Sequence, residues 1–241
     1  MFLVTSRDTV SRSLDVTGAQ DIPLLELSGV WKSYDGRSDV LRGVSLAVEA
    51  GDTVLITGRN GGGKTTLLNI AGCLDTPSKG TVSIKGRQVT GLKEKGLSAL
   101  RLRTIGFVFQ DHNLIEDLTV GQNVMLPLRL AKAARREERT THILESFGIA
   151  ELASRRPMEL STGQRQLVAV ARALANAPQI LLADEPAAAL DEENRLLVLD
   201  AIRKVNMMGT AIVMTSHVRD RDLVLDGARR FVLRNGELHP M

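Results

Sequence analysis

The stretch Gly58-Arg59-Asn60-Gly61-Gly62-Gly63-Lys64-Thr65-Thr66 constrains the fold of this chain more than any other. Two glycines with four residues between them, followed by Lys and a hydroxyl residue, satisfy the Walker A pattern of a phosphate-binding loop. The spacing has a chemical reason. Glycines let the backbone curl so that successive N–H groups point at phosphate oxygens, Lys64 reaches the outer phosphates, and the Thr65 hydroxyl can ligate Mg²⁺. Context supports the motif: Thr53-Val54-Leu55-Ile56-Thr57 is an apolar β-branched strand pattern immediately before it, and residues 65–74 are a helix-forming run immediately after.

The chain's 241 residues suffice for one sizeable domain with a lobe and are too few for two full nucleotide-binding units. Hydrophobic content of 43% and charged content of 24% are those of an ordinary soluble globular protein. No apolar run approaches the roughly 20 residues that span a bilayer, so a membrane process served by this chain needs its membrane part from another. A formal charge of +3 with 3% aromatic residues argues against nucleic acid as a partner. The single Cys73 forbids an intrachain disulfide and reads as a small buried residue. Residues 1–22 lack a secretory core and read as a mobile tail, with the folded domain over 23–241 and a reducing cytoplasm as the setting.

Along the domain, residues 24–32 and 40–49 read as strands of an antiparallel pair, the second alternating Val44, Leu46 and Val48 against Ser45, Ala47 and Glu49. Further strands are expected at 81–85, 105–109, 179–183 and 210–215, with a basic helix at 93–103 and a hairpin at Asn235-Gly236. Residues 111–156 turn helical, with Val120, Val124 and Leu128 on one face and Ile143, Leu144 and Phe147 on another, which reads as an inserted helical lobe. Ser161 followed by Gln164 is a capping box opening a helix to Asn176, whose first N–H groups make a second potential anion site.

Polar residues sit where the apolar strands stop. Gln110 follows one strand, and Ser216-His217 follow another. Asp184 and Glu185 end a third, where Asp suits a Mg²⁺ shell and Glu suits orienting and deprotonating a water. Lys93, Lys95, Arg101, Arg103, Arg135, Arg136 and Arg139 invite a membrane-surface reading, but the interspersed Glu94, Glu137 and Glu138 favour a solvated face.

With these pieces in order, residues 24–239 resemble the nucleotide-binding subunit of ATP-binding-cassette (ABC) transporters. The family's ordered set is an aromatic (Tyr34), Walker A, the Q-loop Gln110, the signature Leu160-Ser161-Thr162-Gly163-Gln164, Walker B Asp184 with Glu185, the D-loop Ala188-Ala189-Leu190-Asp191, and the switch His217. The resemblance implies an α/β fold: a P-loop core with a mixed sheet, an antiparallel β subdomain and a helical subdomain inserted at about 111–176. It implies that Tyr34 stacks on adenine, that Gly58 through Thr66 hold the phosphates of ATP, and that Thr65, Gln110 and Asp184 surround Mg²⁺. Glu185 is implied as general base and His217 as a contact of the γ-phosphate.

Ser161, Thr162, Gly163 and Gln164, with Asp191, are implied to complete the nucleotide site of a facing subunit in a homodimer. That dimer is implied to sit on the cytoplasmic face of the plasma membrane, peripheral to an integral membrane permease. Residues 72–77, 106–114 and 123–128 are similar to the lipoprotein-release and macrolide-efflux ATPases, which power export or transmit force across the envelope. The alternative is a non-transport ABC ATPase acting as a nucleotide-driven switch in a division or other cytoplasmic complex. Two departures stand out: Thr162 replaces the usual glycine, either crowding the facing nucleotide or pointing away, and Ala188 stands where many members carry Ser.

Overall fold

The computed structural model describes residues 22–188, 190–217 and 227–241. Residues 1–21 of the expected tail, and Ala189 of the D-loop, lie outside the described residues. The chain enters through an antiparallel pair, β1 (Leu25–Ser33) and β2 (Asp39–Val48), with Leu25 opposite Val48 and Leu27 opposite Leu46. Val44, Leu46 and Val48 are buried while Ser45 and Ala47 are exposed, as alternating side chains on a half-covered sheet require. β3 (Thr53–Gly58) then leaves for a second sheet and delivers the phosphate loop to α1 (Lys64–Ala71). β4 (Lys79–Ile84) and β5 (Arg87–Gln88) return to the first sheet, completing the order β2-β1-β4-β5.

The second sheet receives β6 (Ile105–Val108) after α2 (Glu94–Thr104), then β7 (Ile180–Ala183), β8 (Ala211–His217), β9 (Arg229–Arg234) and β10 (Glu237–Pro240). Its order is β10-β9-β3-β8-β7-β6, parallel throughout except for the β9–β10 hairpin. Between β6 and β7 lie α3 (Val120–Leu130), α4 (Arg136–Ser146) and α5 (Thr162–Leu174), and α6 (Glu192–Met207) joins β7 to β8.

Successive residues of the central strands face different cores. Val54, Ile56, Ile180, Leu182 and Val213 pack with α1 and the antiparallel sheet. Leu55, Leu181, Ile212 and Met214 pack instead with Val124, Leu128, Val168, Val198 and Ile202 of α3, α5 and α6. A strand covered on both faces cannot show alternation, which is why these segments read as unbroken apolar runs.

The helical pattern expected from residue 111 begins only at Val120. Asn123, fully buried, explains the delay: its amide donates to the carbonyls of Ile115, Leu118 and Thr119 and accepts from the Ile115 N–H. Those bonds satisfy a turn that the apolar spacing of the segment resembles but does not make helical. Thr119 and Gln122 then close a capping box that starts α3.

Candidate functional site

β3, β8 and β7 lie side by side and parallel, so their carboxyl ends open on one edge, where Gly58 is in register with His217. Ligands of open α/β sheets bind at such an edge. Gly61 and Gly63 take positive φ, 68° and 96°, and a side chain at Gly63 would begin 3.0 Å from the Val40 carbonyl oxygen. Only glycine keeps this curl without strain. Lys64, the first residue of α1, is 5% exposed and donates through Nζ to the Gly58 and Arg59 carbonyls at 3.1 and 3.3 Å.

Two carboxylates complete the edge. Asp184, 2% exposed, accepts from the Thr65 hydroxyl at Oδ2 and from the Thr215 hydroxyl at Oδ1, both at 2.6 Å. Glu185 has its Oε1 3.0 Å from Lys64 Nζ and its Oε2 2.7 Å from His217 Nε2. Beyond that ion pair, Oε2 has no hydrogen-bond partner among the described residues. Glu185 also takes φ of 48°, the left-handed region that non-glycine residues seldom enter. A strained backbone carrying a buried carboxylate is a cost that a fold retains at working sites.

Tyr34 is exposed and held by its tip. Its hydroxyl donates to Asp75 Oδ2 at 2.9 Å and lies 3.4 Å from Thr66 Oγ1, while Lys32 Nζ sits 4.7 Å from the ring centroid. Lys32 also bonds Asp75 Oδ1 at 2.6 Å. Partial burial pushes the Asp75 carboxyl up, but Lys32, the Tyr34 hydroxyl and the Thr76 N–H outweigh it and hold it below the usual carboxylate range. Gln110 is exposed just past β6, and its side chain bonds nothing among the described residues.

The signature residues stand apart from this network. Ser161 caps α5, its hydroxyl accepting from the Gln164 N–H at 3.2 Å while Gln164 Oε1 accepts from the Ser161 N–H at 3.0 Å. Ser161 and Thr162 are exposed. Gly163 is buried, and a Cβ there would fall 2.3 Å from Asn194 Cγ of α6. Asn194 in turn donates its Nδ2 to both Asp191 oxygens, and Asp191 accepts the Asn194 N–H to cap α6. Signature and D-loop are therefore interlocked within the chain.

Sequence reasoning missed Thr215, Asp75 and Asn194. Thr215 and Asp75 are short polar residues whose partners lie far along the chain, Asn194 shows its role only through its approach to Gly163, and a hydroxyl near the end of an apolar strand is the one trace that Thr215 leaves in the sequence.

Residues 41–188 match the family model described as ABC transporter. The chain belongs to the ABC transporter family. This cassette is 47% identical over 184 residues to LolD, the lipoprotein-releasing system ATP-binding protein of Aquifex aeolicus, covering 76% of the chain and 82% of that protein. It is 38% identical to the macrolide export ATP-binding/permease protein MacB of Azoarcus sp., covering 96% of the chain but 36% of that longer protein. The ATP-binding cassette MJ0796, solved as a dimer in a post-hydrolysis state bound to ADP and Pi, superposes with a TM-score of 0.82 at 37% identity, covering 89% of this chain and 96% of that one. The mixed sheet, antiparallel sheet and intervening helices are those of the ABC ATPase fold, and the expected likeness to the lipoprotein-release and macrolide-efflux branch holds.

The residues present fit ATP with magnesium. Thr65 Oγ1 and Asp184 Oδ2 bring a hydroxyl and a carboxylate oxygen together, the hard donors that this ion takes. Among the described residues no cluster of three or more His, Cys, Asp or Glu is placed to hold a metal.

Proposed function

We propose that this chain binds and hydrolyses ATP as the nucleotide-binding subunit of an ABC transporter, working as a homodimer on a separate integral membrane permease to power export or envelope force transmission. The observation that carries the reading is Glu185: a buried carboxylate in a left-handed backbone, set between Lys64 and His217 at the carboxyl end of β7. In this reading the glycine-rich loop from Gly58 to Thr66 and Lys64 bind the phosphates, and Tyr34 offers its open ring to adenine. A phosphate entering the loop competes with Glu185 for the Lys64 ammonium, which frees the carboxylate to orient and deprotonate a water. His217 contacts the terminal phosphate, and Gln110 reaches the site from the end of β6. Magnesium, bound through Thr65, Asp184 and Gln110, supplies charge neutralisation on the phosphates.

Ser161, Thr162, Gly163 and Gln164 of one copy, with Asp191, complete the nucleotide site of the other. The dimeric state of MJ0796 supports the pairing, and the permease portion named for MacB supports a membrane partner. No helix among the described residues is long and apolar enough to cross a membrane, which agrees with a peripheral subunit. Steady-state ATP hydrolysis tests the chemistry: Glu185→Gln is expected to lower turnover by about 10² or more, the usual worth of a general base. An unimpaired Glu185→Gln removes the proposed base. Co-purification from membranes with an integral membrane protein tests the partner, and recovery without one counts against it.

A further inference from the structure

We infer that Thr215 is a positioning residue for hydrolysis, fixing the backbone of Glu185 and the carboxylate of Asp184 through a single hydroxyl; this rests on Glu185 being the base. β8 runs between β3 and β7, so a side chain near its end reaches both neighbours. Thr215 is fully buried and in register with Ile56 of β3. Its Oγ1 lies 2.6 Å from Asp184 Oδ1 and 3.0 Å from the Glu185 nitrogen. The direction of both bonds is forced. A carboxylate only accepts and an N–H only donates, so the hydroxyl gives its one proton to Asp184 and takes the Glu185 N–H with a lone pair.

Two consequences follow for the groups that meet nucleotide. With Oδ1 engaged by Thr215, Asp184 is held with Oδ2 toward the Thr65 hydroxyl. With its N–H engaged, the Glu185 peptide is anchored beside the residue's own φ of 48°, a conformation that an L-residue keeps only while its surroundings hold it. Lys64 and His217 also touch Glu185, but at the carboxylate and as members of the nucleotide site. Thr215 acts from behind, on a β-branched side chain that is stiff at χ1 and packed in a central strand.

The test compares Thr215→Val, which keeps the shape and removes the hydroxyl, with Thr215→Ser, which keeps the hydroxyl and removes a methyl. Four quantities are measured: kcat, KM for ATP, equilibrium affinity for a fluorescent ATP analogue, and exchange of the Glu185 amide by NMR in protein without nucleotide. Thr215→Val is expected to lower kcat about tenfold or more, with KM and analogue affinity within about threefold of wild type. Its Glu185 amide is expected to exchange at least about tenfold faster, because the buried N–H has lost its acceptor. Thr215→Ser is expected to stay within about threefold of wild type in every measurement.

The inference is overturned if Thr215→Val keeps kcat within about twofold, or if Thr215→Ser loses as much as Thr215→Val. A Glu185 amide that exchanges as in wild type overturns it equally. Should Thr215→Val not fold, Thr215→Ala is measured against Thr215→Ser by the same criteria. Glu185→Gln is run alongside: if it hydrolyses ATP like wild type, the reading of Glu185 as base fails, whereas an impaired Glu185→Gln beside an intact Thr215→Val sinks the role of Thr215 alone.

Discussion

The edge at the end of β3, β7 and β8 and the tip of α5 both handle polar groups, and they do so in opposite ways. At the edge Lys64, Asp184 and Glu185 are all buried, and their contacts cross between elements far apart in the chain: Thr65 to Asp184, Thr215 to Asp184, Lys64 to Glu185. At the tip, Ser161 and Thr162 are exposed, and the capping bonds run only three residues along the chain. The first arrangement is organised by the sheet before any partner arrives. The second presents the positive end of a 13-residue helix, with Ser161 and Thr162 exposed at its tip. One is a site, and in the proposed reading the other is the wall that it lends to a second site.

Subunit mixing puts the largest effect on that contrast. Lys64→Ala disables the loop of its own chain and Ser161→Ala the tip that it lends, so homodimers of either are expected to lose about tenfold or more in ATP turnover. In mixed dimers formed at random, half contain one site built from an intact loop and an intact tip, so about a quarter of wild-type activity returns. Activity that stays at the level of the separate variants breaks the comparison, because both regions then serve one chain.

Much of the edge could be read in the sequence because its signals are local. Gly58 to Thr66 is contiguous, Asp184 and Glu185 are adjacent, and strands buried on both faces announce themselves as apolar runs. The capping box at Ser161 is likewise complete within four residues. What stayed hidden is non-local. Tyr34 depends on Asp75, 41 positions away, and Glu185 on Thr215, 30 positions away, and nothing local to either partner announces the contact. The turn before α3 was hidden for a different reason, since Asn123 satisfies its carbonyls while the apolar spacing continues through it.

Gly163 tests the interlock behind the tip, at a smaller scale. A Cβ there meets Asn194 at 2.3 Å, within side-chain atoms that also hold Asp191. Gly163→Ala is expected to cost about 1–3 kcal/mol by overpacking, a drop of roughly 2–4 °C in melting temperature for each kcal/mol in a chain of this size. Adding Asn194→Ala should recover most of that loss and little of the turnover, because it clears the clash while releasing Asp191. Full recovery of turnover by the double variant places the function of Gly163 in packing alone and blurs the distinction between wall and scaffold.

The smallest effect separates the regions by access. Cys73 follows α1, is 7% exposed, and has its thiol pushed up by burial from 9.0 to about 11, with Arg101 opposing the shift and Glu94 adding to it. Since the thiolate is the reactive form, a maleimide at pH 8 should label Cys73 about a hundredfold or more slowly than a cysteine placed at the tip by Thr162→Cys in a Cys73→Ala background. That tip substitution, like Thr162→Gly, is expected to change turnover less than tenfold, since the side chain is exposed and holds nothing among the described residues. The same thiol carries a pH signature. The folded protein keeps the proton that the unfolded chain gives up, so the stability linked to the neutral thiol is complete below about pH 9 and is lost as pH rises toward about 11. Denaturant titrations of wild type and Cys73→Ala across that window should diverge, the variant declining less. Equal labelling at positions 73 and 162 would show that the loop region opens as freely as the tip, and the contrast between a finished site and a lent wall would not survive it.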